Sequence, residues 1–158
     1  MRWDTINSIR WDDIAFMSKT YVTTALRTEV IATANARCEY CLMPQNNPGN
    51  RHEVDHIIAE KHNGETVKNN LCLACFLCNR YKGTDVASYT KTGLLTMLYH
   101  PRRHIWSEHF VVSGNRIEPL SDIGEVTVRL FGLNTPEKCE RRQGWQEIGR
   151  YPLEGDPV

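Results

Sequence analysis

Two Cys-x-x-Cys pairs, Cys38/Cys41 and Cys75/Cys78, stand 33 residues apart and constrain this chain more than any other feature. Each pair has the spacing of a knuckle that presents two thiolates to one tetrahedral zinc, so the chain must fold back to bring the pairs together. The six cysteines of the sequence would also permit three disulfides in an exported protein. The N-terminus MRWDTINSIRWDD, however, lacks the basic-then-apolar pattern of a signal peptide, and four of the six cysteines fall in the close pairs. Metal binding in the cytoplasm is therefore the expected use.

The segment between the knuckles carries more than a structural zinc requires. Asp55-His56 directly precedes the apolar pair Ile57-Ile58, and Asn79 directly follows the last cysteine. An ion that only holds the fold needs none of these. They point to a second site, one that does chemistry beside the zinc.

A length of 158 residues suits one domain, and 41% hydrophobic with 24% charged residues is ordinary for a soluble chain. The stretch with the motifs is short and polar, so it is expected to need its zinc to fold. No run approaches the roughly 18 apolar residues of a membrane span, and no membrane partner is expected. A formal net charge of zero argues against tight nucleic-acid binding. The charge is unevenly spread: residues 27–103 hold ten Lys/Arg against seven Asp/Glu, and 104–158 hold six against nine. Four zinc-bound thiolates would offset most of that local excess. Weak, salt-sensitive affinity for DNA is the expectation.

Periodicity places the motifs on short elements. Thr23 or Thr24 caps a helix reaching about Ala36, with Leu26, Val30 and Ala34 on one face. Residues 43–51 are a turn-rich loop and Glu53–Ala59 a short strand, followed by a polar loop to Asn70. A helix is expected from Cys78. Beyond it, Lys91-Thr92-Gly93 marks a hairpin turn, Leu94–Tyr99 and His104–Val112 read as strands, and Ser113-Gly114-Asn115 is a second turn. Ser121 is expected to cap a helix ending at Gly132, and Pro136 to open another. The residues from Tyr151 read as frayed, and Trp3 and Trp11 as able to pack onto the domain.

Taken in order, Cys38-x2-Cys41, Val54-Asp55-His56-Ile57-Ile58, Asn70-Leu71, Cys75-x2-Cys78-Asn79 and Lys82-Gly83 resemble the HNH endonuclease family, over residues 30–84. Asn79 stands where many members carry His, which makes this an HNN-type signature. Residues 101–110 and Leu133-Asn134 are also similar to an accessory tail of stand-alone bacterial members. The resemblance implies an α+β fold: a zinc-stabilised, treble-clef-like ββα-metal core, with an N-terminal helical extension (1–29) and C-terminal strand and helix extensions (85–158), all in one compact domain.

The chemistry implied is cleavage or nicking of DNA phosphodiesters, which needs an activated water, a Lewis acid and stabilisation of extra negative charge. His56 is placed as the general base, since an imidazole exchanges protons near neutral pH. The resemblance gives Asp55 and Asn79 to a catalytic Mg²⁺ or Mn²⁺, and Asn70 an orienting role at the catalytic centre. On a regular strand Asp55 and His56 would face opposite ways, so a twist or bulge is expected there. Cys38, Cys41, Cys75 and Cys78 would hold the structural Zn²⁺. Arg80 and Lys82 on the last helix, with Lys61, are the candidate phosphate contacts, and Arg102-Arg103 weaker ones.

Blander readings stand beside these. A Cys72/Cys75 ligand register is formally open, although the family register and Asn79 favour Cys75/Cys78 and leave Cys72 as a small buried residue. Cys139 is expected to be unliganded, His52 and His62 solvated, and Trp106, His109 and Phe110 structural. Two rival functions remain: a non-catalytic zinc module binding nucleic acid or protein, and a redox protein using its Cys-x-x-Cys pairs. No small-molecule cofactor is expected.

Overall fold

The computed structural model describes residues 21–45, 51–153 and 155–157. Trp3 and Trp11 lie outside them. Helix α1 (Thr24–Thr33) starts where Thr23 Oγ1 accepts the Leu26 amide at 3.2 Å, and it buries Val30 and Ala34 on one face. It ends three residues short of Ala36, because Asn35 and Ala36 take left-handed backbone angles. The helix runs without a break past residue 30.

The first knuckle follows. Leu42, at φ 61°, turns the chain so that the Cys38 amide bonds Met43 O and the Leu42 amide bonds Cys38 O. Strand β1 (His52–His56) then pairs antiparallel with β2 (Leu71–Cys75) in unbroken register, from His52 opposite Cys75 to His56 opposite Leu71. β1 stops before Ile57, three residues earlier than the apolar content suggests: the Ile57 amide still bonds Asn70 O, but the Ile58 amide goes to the Asn70 side chain and not to a partner strand. Helix α2 (Phe76–Lys82) begins two residues earlier than expected, with Cys75 Sγ capping its first turn at Cys78 N. Two strands and a helix thus follow in the expected ββα order.

The remainder packs onto this unit. β3 (Ala87–Tyr89) and β4 (Leu95–Met97) form a hairpin around the expected Gly93 turn. The stretch expected as one strand from His104 to Val112 instead makes a helical turn, α3 (Trp106–His109), before β5 (Phe110–Ser113). Trp106 and Phe110 are both buried, and side chains four apart share one face of a helix and of a strand alike, so their spacing reads equally as either element. β6 (Arg116–Pro119), α4 (Asp122–Leu130, capped by Ser121) and α5 (Pro136–Glu147) complete the order.

One apolar core joins the knuckle cysteines to Tyr40, Trp106, Phe110, Val126, Phe131 and Leu133. Tyr40 packs at 4.6 Å, centroid to centroid, on Phe131, and Trp106 Nε1 donates to Tyr40 O at 3.1 Å. Tyr151 corrects the expectation of a frayed end: it is 3% exposed, and its hydroxyl donates to Cys41 O at 3.1 Å. Among the described residues, no helix is long and apolar enough to cross a membrane.

Candidate active site and metal centre

The antiparallel return of the chain brings both knuckles to one point. The Sγ atoms of Cys38, Cys41, Cys75 and Cys78 all lie within 4.8 Å of one another, and all four residues are buried. Sulfurs bound at ~2.3 Å to one tetrahedral ion sit roughly 3.8 Å apart. The Cys41–Cys75 Sγ separation is 3.7 Å, so the donor set fits zinc in number, softness and spacing. Among the described residues this is the one group of three or more His, Cys, Asp or Glu donors close enough to share an ion.

Two neighbours set the charge and the register of this centre. Lys138, 5% exposed, places Nζ 3.7 Å from Cys78 Sγ while donating to Phe131 O at 2.6 Å and lying 4.6 Å from the Tyr81 ring. Hydrogen bonds from the other three cysteines hold the Cys41 thiol low, and the Lys138 charge adds to that. Sequence reasoning passed over Lys138, which sits 60 residues from Cys78 in an otherwise polar helix. Cys72, by contrast, lies outside the cluster with its Sγ on Tyr40 Oη at 3.3 Å, and burial pushes its thiol up to about 12. The Cys75/Cys78 register is therefore the one the fold assembles.

On the other side of β1, alternate strand positions meet one face of α2. Asn79 Nδ2 donates to Glu53 Oε2 at 2.9 Å, and Lys82 Nζ lies 3.3 Å from Asp55 Oδ2. Glu53 and Asp55 are two apart on the strand, and Asn79 and Lys82 three apart on the helix, so the four residues form one polar patch. Two carboxylates and an amide are hard oxygen donors of the kind Mg²⁺ or Mn²⁺ takes. Glu53 is the residue that sequence reasoning missed; its place two before Asp55 in a strand was the available signal.

Asp55 and His56 do diverge. The register of β1 is unbroken, so the expected bulge is absent, and His56 turns from the Asp55 side. Its Nε2 lies 2.9 Å from Thr66 Oγ1 and 3.9 Å from Glu60 Oε1. Asn70 closes the intervening loop: its Oδ1 accepts Ile58 N at 3.0 Å, and its Nδ2 donates to Ile58 O and Glu65 O at 2.9 Å each. It touches the backbone after His56 and not the patch itself.

The basic residues separate into two kinds. Arg80 and Lys61 are exposed. Lys82 is not: it is 2% exposed, with its ammonium on Asp55, on His56 O at 2.8 Å and on Gly83 O at 3.2 Å. A helix this short and tightly packed turns position 82 inward, which removes Lys82 as a surface phosphate contact. Arg102 is likewise committed, paired in bidentate fashion with Glu39, while Arg103 is exposed. Cys139 is buried beside Arg142, and His109 bonds Ser121 at 2.6 Å. His52 Nε2 is 2.9 Å from Met43 O, so that ring is engaged and not solvated, whereas His62 is exposed.

Residues 38–85 match the family model described as HNH endonuclease. The likeness to an HNH domain is confined to this segment. The match opens at the first zinc-type cysteine and closes just past Gly83, so it contains both knuckles, β1, β2 and α2. No curated protein and no solved structure gives a significant match. The matched segment covers the residues around the four cysteines and the polar patch. The strands and helices that complete the core around Trp106 and Phe131 lie beyond its bounds.

Proposed function

We propose that this chain is a metal-dependent endonuclease that hydrolyses or nicks DNA phosphodiester bonds, with an HNN-type variant of the HNH signature. One observation carries the reading: the stretch matched as an HNH domain is the one in which β1 and α2 bring Asp55 and Asn79 onto a shared face. The catalytic unit is residues 30–84, with 1–29 and 85–158 as extensions of the same compact domain.

His56 takes the proton from the attacking water, and Thr66 and Asn70 fix where it does so, one at the ring and the other at the backbone beyond it. His56 is the last residue of β1, so a phosphate lying across the strand end is reachable from both sides of the sheet. Asp55 and Asn79, with Glu53 beside them, hold the catalytic cation; turning the Asn79 amide presents Oδ1 in place of Nδ2. Bound Mg²⁺ or Mn²⁺ would polarise the phosphate and stabilise the leaving oxygen. Lys82 neutralises Asp55 and ties the helix to His56 O. Arg80 and Lys61 contact flanking phosphates without reading sequence. The cysteines hold Zn²⁺, whose role is to keep this geometry.

A non-catalytic zinc module is the second reading. It is favoured by the Asp55–Lys82 pair, which gives that carboxylate a partner already. The two readings part in a titration of Mg²⁺ and Mn²⁺ against supercoiled plasmid. The nuclease cuts, and Asn79→Ala raises the metal concentration needed for half-maximal cutting while its zinc content stays at that of wild type. Intact plasmid at every ion concentration selects the binding module. An Asn79→Ala curve that overlies wild type removes Asn79 from the ion.

A further inference from the structure

A cavity of about 100 Å³ lies against the end of β1, outside the polar patch and the zinc centre. Its apolar wall includes Ile57, Ile58 and Leu98, and its polar lining consists of His100, Arg103 and His104, with no carboxylate among the lining residues. Ile57 directly follows His56, so their Cα atoms are ~3.8 Å apart. The cavity therefore begins one residue along the chain from the proposed general base, whose own ring is not among the lining residues.

The two imidazoles have defined chemistry. His100 Nδ1 accepts the Arg102 amide at 3.2 Å, and His104 Nδ1 accepts the His100 amide at 3.0 Å. With both Nδ1 lone pairs engaged by backbone, each neutral ring carries its proton on Nε2 and can only donate there. Burial keeps both rings in that neutral form, lowering His100 to about 4 and His104 in the same direction. The cavity therefore combines apolar walls with imidazole and guanidinium donors and offers no side-chain acceptor from an acid.

We propose that this cavity is a nucleobase pocket that receives one base of the DNA strand next to the scissile phosphate, and that it takes bases with a carbonyl edge, guanine or thymine. The proposal rests on the nuclease reading for its substrate. A planar ring suits apolar walls as a bare phosphate does not. Donor-only polar groups match the O6/N7 edge of guanine or the O4 of thymine, whereas the corresponding edge of adenine sets an amino donor beside N7 and meets them with only one acceptor. Exposed Arg103 and Met97 stand at the mouth, where a base would enter.

Nucleoside binding tests the pocket without any need for cleavage. In the zinc-loaded full-length protein, the imidazole C–H NMR signals of His100 and His104 are followed during titration with guanosine, thymidine, adenosine and ribose 5-phosphate. Guanosine and thymidine shift both signals, adenosine shifts them at higher concentration, and ribose 5-phosphate does not. Loss of one charge-assisted bond in Arg103→Ala weakens guanosine binding about tenfold. Met97→Trp, which fills the mouth from an exposed position, removes the shifts while the rest of the spectrum is kept. Silent histidines with all four ligands, or equal shifts with ribose 5-phosphate, overturn the pocket. Sequenced ends of cut random DNA give an independent readout: guanine or thymine is enriched at one fixed offset from the break, and uniform ends count against the pocket. A protein that binds nucleosides in this way but never cuts DNA contradicts the nuclease reading and leaves the pocket standing.

Discussion

Cys72 and Cys78 lie on either side of Cys75 with the same spacing, yet they meet different environments. Cys78 joins three other sulfurs beside the Lys138 ammonium, whereas Cys72 faces Tyr40 inside the core. Elemental analysis of dialysed protein should find about one zinc per chain in wild type and Cys72→Ser, as one four-thiolate site requires. Cys78→Ser should lose it, and zinc lost by the Cys72 variant alone would show the register to be wrong. His100 makes a second prediction at this scale. Its folded value near 4 lies below the ordinary 6.5, because of burial and then Arg103, His104 and Arg102. The unfolded chain therefore binds the extra proton first as pH falls. The stability that neutral His100 contributes is complete above 6.5 and is lost as pH drops toward 4. Urea denaturation at pH 7.5 and 5.0 should show a smaller acid loss in His100→Asn than in wild type. Equal losses would mean that this ring does not couple folding to pH.

At the scale of elements, the loop between β1 and β2 is the part most tightly specified by a single small residue. A Cβ at Gly64 would come within 1.7 Å of Ile58 O and 2.8 Å of Asn70 Nδ2, so only glycine lets the loop close on the Asn70 clamp. Gly64→Ala should cost about 3 kcal/mol, roughly 6–12 °C in melting temperature. Gly144, in α5 with nothing within 4 Å of its Cβ position, is the control. Gly144→Ala should gain about 0.5–1 kcal/mol from helix propensity. Thermal melts that rank the two variants the other way would discount the loop closure. The ββα order was legible because motif spacing and short-range pattern agree there. The helical turn at Trp106–His109 was not, since its apolar residues fit a strand equally well until the core shows which face is buried. Lys82 and Tyr151 were misplaced for a related reason. Neither a short basic helix nor a polar chain end reveals in sequence which side chains tertiary packing will enclose.

Across the whole molecule, the zinc-type cluster is part of the main core and not an appendage. Tyr151 reaches Cys41, Lys138 reaches Cys78, and Phe131 packs on Tyr40 inside the first knuckle. The binding energy of a structural zinc is folding energy, so its removal should unfold the C-terminal helices as well as the knuckles. Chelation followed by circular dichroism and tryptophan fluorescence should show both signals lost together; helices that outlast the zinc would mean that the two parts fold separately. The candidate site was legible at Asp55, His56, Asn79 and the cysteines because each belongs to a motif with fixed spacing. Glu53, Lys138 and the cavity at Ile57 and Ile58 emerge only when β1, α2 and the C-terminal segment meet. The central claim is that His56 is the base of a phosphodiester-cleaving site, and nicking of supercoiled plasmid in Mg²⁺ or Mn²⁺ tests it most directly. Wild type should nick, and His56→Ala, with zinc content and melting temperature unchanged, should be slower by about 10²–10⁴-fold. A folded, zinc-loaded His56→Ala protein that nicks at the wild-type rate would contradict the account.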